Sequence, residues 1–168
     1  MIYAYGKGFS QYVLPEGFSA VSLDEENDTE KIDRCSWAAF SNAPYTSFNS
    51  DERLHKQSSP YFRKDLTTII KAPNGDYACY AGMWVDEYNG YAYLEPLGTA
   101  PEYRRLGLAT AVLMISMQKT VPFGAKYCYC GDGAFYRSIG CERYIALIIC
   151  KDSNKPRRRR RRLPTAPL

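Results

Sequence analysis

Residues 91–117 read YAYLEPLGTAPEYRRLGLATAVLMISM, and this stretch decides the fold. It begins as a strand-like run, Tyr91-Ala92-Tyr93-Leu94, and breaks at Pro96 and Gly98. It turns through Pro101 and continues as a helix from about Arg104 to Thr120. That helix buries Ala109, Val112, Leu113 and Ser116, spaced i, i+3, i+4, i+7. The turn Arg104-Arg105-Leu106-Gly107-Leu108-Ala109 leaves backbone N–H groups without intrahelical partners at the positive end of the helix dipole. Small residues at Gly107 and Ala109 let a ligand approach the backbone closely. Strand, glycine-containing turn and helix start together make an anion site suited to a pyrophosphate.

Working outward, residues 66–71 (LTTIIK) are strand-like and Asn74-Gly75 is a hairpin signal. Residues 76–86 form the return strand, and Asn89-Gly90 turns it into the 91–97 strand, giving an antiparallel meander. Beyond the helix, residues 125–130 form a strand that runs parallel to 91–97, because a helix intervenes. A short helix near residues 134–139 and a last strand over 143–150 follow. On the N-terminal side, residues 1–14 are an extended tyrosine-rich segment, and 18–23 (FSAVSL) alternate as a half-buried strand. Acids from Asp24 onward suit a helix start. From Thr29 the positions Ile32, Cys35, Trp37, Ala39 and Phe40 follow a helical face that ends near Pro44. Residues 44–60 are a loop or short helix. The expected fold is a mixed α/β (α+β) domain over residues 1–150, with a mostly antiparallel sheet and helices on both faces.

Composition narrows the function. The 168 residues carry a formal charge of +4, but residues 1–150 alone are mildly acidic, at −3. The excess sits in residues 151–168, KDSNKPRRRRRRLPTAPL, which have no apolar set to bury. This tail is either an electrostatic contact for nucleic acid or another acidic surface, or a solvated terminus. Six cysteines, Cys35, Cys79, Cys128, Cys130, Cys141 and Cys150, include no C-x-x-C, and His55 is the only histidine. They read as buried free thiols, with no metal site. No apolar run approaches the roughly eighteen residues of a membrane span. The first residues, MIYAYGKGFS, lack a signal peptide's basic and apolar regions, so the expected compartment is the cytoplasm.

The turn Arg104-x-x-Gly107-x-Ala109 is similar to the acetyl-CoA signature of the GNAT N-acetyltransferase superfamily, Q/R-x-x-G-x-G/A. Downstream, Phe135-Tyr136-Arg137-Ser138-Ile139-Gly140 resembles the family's F-Y-x-x-x-G-F segment. The resemblance covers residues 66–150, and residues 1–65 match in general shape. It implies acetyl transfer from acetyl-CoA to a primary amine. The backbone of Leu106, Gly107, Leu108, Ala109 and Thr110 would cradle the pyrophosphate, with Arg104 and Arg105 beside it. The 91–99 strand would splay from its neighbour near Pro96, which cannot donate a ladder hydrogen bond. In this family the gap receives the pantetheine arm. Leu97 and Thr99 would offer it their backbone groups, and an N–H there could polarise the thioester oxygen.

Tyr136 occupies the position of the family's general acid. A phenol with a pKa of about 10 stays neutral at pH 7 and can protonate a thiolate. The alternative is an aromatic core residue with a satisfied hydroxyl. Glu95 stands where family members use a strand glutamate as base, and burial in an aromatic-rich cleft makes a carboxylate a better base. Its alternatives are a structural role or recognition of the amine by charge. The aromatics Trp37, Phe40, Tyr45, Phe48, Tyr61, Trp84, Tyr88 and Tyr91 could line an acceptor pocket. Acids at Asp51, Glu52, Asp86 and Glu87 would favour a cationic acceptor. Residues 44–60 are either acceptor contacts or a surface connection.

Two departures from the family pattern stand out. Cys141 replaces the terminal Phe, and Gly131-Asp132-Gly133 occupies the region where an Asn is common. A homodimer through an edge strand is left open. The alternative of another class is a non-catalytic acyl-CoA-binding or interaction module whose arginine tail does the binding.

Overall fold

Two Asn-Gly turns fold the middle of the chain into consecutive hairpins, and everything else packs around them. In the computed structural model, which describes residues 1–47 and 49–143, the strands are β1 Ile2–Ala4, β2 Ser19–Ser22, β3 Thr68–Lys71, β4 Tyr77–Asp86, β5 Tyr91–Thr99 and β6 Tyr127–Tyr129. The helices are α1 Thr29–Phe40, α2 Ser50–Gln57, α3 Leu108–Thr120 and α4 Ala134–Ser138. They build one six-stranded sheet in the order β1-β6-β5-β4-β3-β2. Every pairing is antiparallel except β5 with β6, which α3 joins as a parallel crossover. The expected strand beyond Arg143, the tail from Lys151, and Phe48 lie outside the described residues.

The N-terminal segment does more than run extended. β1 pairs antiparallel with β6, and Ile2 bridges Glu142 on its other side. Met1 O accepts from Cys130 N at 2.8 Å. The early and late parts of the described chain therefore meet at one side of the sheet. Tyr3, 3% exposed, fixes the following loop by donating its hydroxyl to Gly8 O at 2.9 Å and accepting from Ser10 N at 3.2 Å.

The sheet is covered on both faces. The larger core joins Cys79, Ala81 and Met83 of β4 and Ala92 and Leu94 of β5 to Leu113, Met114 and Met117 of α3. A smaller core joins Tyr80 and Ile69 to Ile32 and Cys35 of α1. β4 is thus buried on both faces over most of its length, and its alternation does not sort into a wet and a dry side.

α3 differs from its expected form in two ways. It starts at Leu108, because Arg105 and Gly107 adopt left-handed φ values of 65° and 78° that interrupt a right-handed helix. A separate 3-10 turn occupies Pro101–Tyr103. It is also buried almost all round. Leu108, Ala111, Val112, Leu113, Met114, Ser116, Met117 and Thr120 are all enclosed, while Ala109 is only partly so. The N-terminal segment covers the side away from the sheet: Tyr5, Phe9 and Leu14 pack on the same core, and the Tyr5 hydroxyl meets Thr120 Oγ1 at 2.8 Å. Among the described residues no helix is long and apolar enough to cross a membrane.

Two neighbouring substitutions in α3 should behave oppositely. Leu113→Ala removes a fully buried side chain and should cost about 2–5 kcal/mol, lowering Tm by roughly 5–15 °C. Ser116 Oγ is buried with no hydrogen-bond partner among the described residues. Ser116→Ala should therefore leave Tm unchanged or raise it, because it deletes an unsatisfied polar group. Calorimetry on both variants checks the contrast.

Candidate active site

The site begins with a register shift. Met83 pairs with Leu94 and Ala81 with Leu97, so Glu95 and Pro96 together face the single residue Gly82. This is a β-bulge, and β5 runs on through it rather than ending at Pro96 or Gly98 as the sequence suggests. A Cβ on Gly82 would stand 2.7 Å from Glu95 O, so the bulge requires glycine there. On its other side β5 pairs with β6 only through Tyr91, Ala92 and Tyr93. From Leu94 onward the two strands part.

The direction of the backbone in the opening follows from the ladder. Ala100 N donates to Ala78 O at 3.0 Å, and backbone groups alternate sides along a strand. Gly98 shares the β4 side with Ala100, and Leu97 and Thr99 present their N–H and C=O to the side where β6 has departed. The Thr99 carbonyl accepts from Arg104 Nε at 3.2 Å. The Thr99 side chain is held from behind, with Oγ1 3.0 Å from Cys79 Sγ.

At the end of this edge lies the start of α3. Asp28 caps α1, accepting from Glu30 N and Lys31 N, and Asn49 caps α2, accepting from Glu52 N. α3 has no side-chain cap. Its first intrahelical bond is Ala111 N to Gly107 O at 3.1 Å, leaving the N–H groups of Leu108, Ala109 and Thr110 without helical acceptors. Gly107 has open space where a Cβ would stand, so its glycine serves the left-handed φ. These residues, with Thr99, Arg104, Arg105 and Phe135, line a cleft of about 340 Å³. Such a row of uncapped N–H groups at a helix dipole's positive end fits an anionic phosphate chain.

The two arginines are placed differently. Arg104 is spent on the protein itself, donating to Thr99 O and, through Nη2, to Ala39 O at 3.3 Å in the last turn of α1. It ties the end of β5 to the carbonyl end of α1, where a cation is favoured. Arg105 is exposed, makes no salt bridge among the described residues and lines the cleft. Leu106 is exposed at 44% and lies on the turn without lining the cleft.

Tyr136 on α4 is half-buried, with its ring against Gly131. A Cβ on Gly131 would stand 2.7 Å from Tyr136 Cε2 and 3.1 Å from the hydroxyl oxygen. Burial first, then the neighbouring Cys130 and Cys141 thiols and the Glu95 carboxylate, push its phenol above the ordinary tyrosine range. The phenol is thus neutral at neutral pH and within the field of Glu95. Glu95 itself is exposed on β5, not buried as expected, and its carbonyl accepts from Trp84 Nε1 at 3.2 Å. The hydrogen bond with the neighbouring Cys128 first, and then burial, push the Cys130 thiol well above its ordinary range, so it is a poor nucleophile at neutral pH. Among the described residues there is no group of three or more His, Cys, Asp or Glu placed to hold a metal.

The aromatic residues expected to form one acceptor pocket are divided. Trp37 and Tyr45 pack edge to face on α1 and the loop after it, while Tyr61 and Tyr88 are 75% and 96% exposed on the surface. Among the described residues of that set, only Trp84 and Tyr91 border the opening near Glu95. Asp51 and Glu52 stand in the first turn of α2, away from that border. The sequence reading missed Tyr93 and Tyr129, which face this cleft, and Gly131, which seats Tyr136. The register 91↔127 and 93↔129 was needed to find the tyrosines. The Gly-Asp-Gly before the Phe-Tyr pair was the available signal for Gly131.

Comparison with known proteins agrees with this geometry. The model of the acetyltransferase (GNAT) family matches residues 28–140, more than half of the chain. No curated protein matches it by sequence. A GCN5-related N-acetyltransferase from Sphaerobacter thermophilus superposes with a TM-score of 0.65 at 18% identity, over 83% of this chain and 45% of that one. The chain thus spans less than half of that protein. An acetyltransferase from Trypanosoma brucei gives 0.59 at 16% identity, over 77% and 95%. A GNAT family acetyltransferase from Brucella melitensis, in complex with acetyl-CoA, gives 0.57 at 17%, over 76% and 84%.

The seat of Tyr136 is testable without any ligand. Gly131→Ala should destabilise the protein by about 1–3 kcal/mol, because the ring and the new methyl overlap. On a Tyr136→Ala background the same change should be nearly neutral. A thermal double-mutant cycle with no coupling would mean that the two residues do not touch.

Proposed function

Since the chain belongs to the acetyltransferase (GNAT) family, we propose that it transfers the acetyl group of acetyl-CoA to a primary amine of a small acceptor, by direct attack, in the cytoplasm. One observation carries this reading. The edge of β5 at Leu97 and Thr99, which has no strand partner among the described residues, leads into the uncapped start of α3, and Tyr136 lies within the field of Glu95 on the same strand. A phosphate chain with an amide-bearing arm needs donors in that order.

Acetyl-CoA supplies an acetyl thioester activated toward amines. The N–H groups of Leu108, Ala109 and Thr110 hold the pyrophosphate, with Arg105 adding charge from the rim. Arg104 acts as a positioning residue, fixing Thr99 and the turn through two carbonyls. Backbone groups of Leu97 and Thr99 pair with the amide-bearing arm, and an N–H there polarises the thioester carbonyl. Glu95 takes the proton from the acceptor's ammonium, directly or through solvent. The new C–N bond forms as the C–S bond breaks, the Tyr136 hydroxyl gives its proton to the departing sulfur, and the proton shed by the amide nitrogen returns to the phenolate through solvent. The raised phenol suits this role, since it stays protonated at the pH where amines begin to lose their protons.

Acetyl-CoA at about a hundred times its dissociation constant should stabilise the fold by roughly 2.7 kcal/mol, or about 5–10 °C in Tm. The shift should survive truncation before Arg157. A shift lost with the tail would assign binding to the arginines and return the chain to a non-catalytic module. Tyr136→Phe should keep the shift while lowering kcat by about a hundredfold. In the parent protein kcat should hold on the alkaline side until above about pH 10, because the required form is the protonated phenol and its pKa is raised. Steady-state kinetics of free-thiol release across pH, on both proteins, decides this.

A further inference from the structure

A second cleft, of about 630 Å³, opens on the sheet where β4, β5 and β6 run side by side. Its walls are Trp84 and Tyr91, Tyr93 and Tyr129, with Asp86 and Cys130 also on its border. Tyr91 and Tyr93 alternate with Ala92 and Leu94, which are buried in the α3 core, so they project from the opposite face. Tyr129 lies beside Tyr93 in the parallel ladder. The tyrosines brace one another: Tyr91 meets Tyr129 edge to face at 5.2 Å, and Tyr127 meets both Tyr91 and Tyr129, at 6.1 and 5.6 Å. Ring faces braced in this way lose little entropy when a ligand binds.

The charge of the cleft is one-sided. Among the described residues none that lines it is Lys or Arg, and Asp86 lies on its border. Hydrogen bonds from the Asn89 side chain and backbone hold the Asp86 carboxyl below the usual carboxylate range, so it is anionic. Glu95 adjoins Trp84, which donates to its carbonyl, and Cys130 precedes Gly131, on which the Tyr136 ring rests. The cleft therefore borders the strand that carries Glu95 and the segment that seats Tyr136.

We propose that this cleft receives the acceptor, and that the acceptor is a primary amine on an aromatic or alkyl body, an arylalkylamine in chemical class. This rests on the acetyltransferase reading above. The ammonium is held against the electron-rich ring faces and the carboxylates, and the apolar body lies along the tyrosines. A sugar phosphate would meet carboxylate charge with no cation among the described lining residues to pair with. A polyamine would need further carboxylates spaced along the cleft, and among its described lining residues Asp86 is the only one.

The test is direct binding, followed by turnover. In a Trp37→Phe background, Trp84 is the only tryptophan, and phenethylamine should change its fluorescence saturably. Tyr93→Ala should weaken that half-saturation at least tenfold, Tyr93→Phe should restore it, and the acetyl-CoA thermal shift should be the same in both. 2-Phenylethanol, which lacks the charge, should bind at least tenfold more weakly. In turnover, phenethylamine should exceed spermidine and glucosamine 6-phosphate in kcat/KM by at least tenfold. Tighter binding or faster turnover of either competitor overturns the acceptor class. An unchanged half-saturation in Tyr93→Ala overturns the location, including the case where that variant instead turns a dimer into a monomer by sedimentation. Saturable phenethylamine binding without any acetyl-CoA shift would leave the cleft standing and refute the acetyltransferase reading.

Discussion

The bulge at Gly82 is the constraint from which the rest of the site follows. Two residues of β5, Glu95 and Pro96, share one partner on β4, and the strand bends where the ladder with β6 stops. A sheet interior ordinarily pairs every backbone group, because an unpaired buried N–H or C=O costs free energy comparable to a lost hydrogen bond. Here, among the described residues, the edge of β5 beyond Tyr93 has no strand partner and borders a cleft at Thr99. Arg104 covers one of the exposed carbonyls, that of Thr99, and the remaining groups face a cleft wide enough for a ligand. Gly82 and Pro96 reinforce each other: one admits the carbonyl of Glu95 at close range, and the other has no N–H to offer the ladder.

α3 can begin without a cap because the rest of it is held so firmly. It is enclosed by the sheet on one side and by the N-terminal segment on the other, and that burial, not its first turn, stabilises the helix. Its exposed start then keeps free donors and a positive dipole end. α1 and α2, which are shorter or lie at the surface, spend Asp28 and Asn49 on their own N–H groups. The difference separates a helix that closes its own ends from one that leaves an end for an anion.

The chemistry beside the opening depends on unequal burial. The half-buried Tyr136 phenol, close to two thiols and a carboxylate, is kept neutral, while Glu95 on the strand keeps access to solvent. A neutral phenol and a solvent-exposed carboxylate thus stand within each other's electrostatic field. The tyrosines of β5 and β6 add an apolar but electron-rich wall on one side of that pair.

Much of this was legible in the chain itself. The Asn-Gly pairs at 74–75 and 89–90 set the meander, since few other dipeptides turn so tightly, and the helix between the 91 and 127 strands required them to be parallel. The spacing of Arg104, Gly107 and Ala109 marked where the uncapped helix begins, and Phe135-Tyr136 downstream marked the half-buried phenol. Local chemistry decides those features, so local sequence records them. The tertiary structure decided the rest. Which wall each tyrosine joins depends on a register between strands some thirty-six residues apart. Arg104, at the wall of the cleft, reaches the α1 carboxyl end because α1 stops there. The N-terminal strand lies beside β6 because that edge was vacant, and no local pattern near Ile2 names a partner so distant in sequence. Long-range pairing costs chain entropy that only the whole fold can offset, and a short stretch of sequence carries no record of that balance.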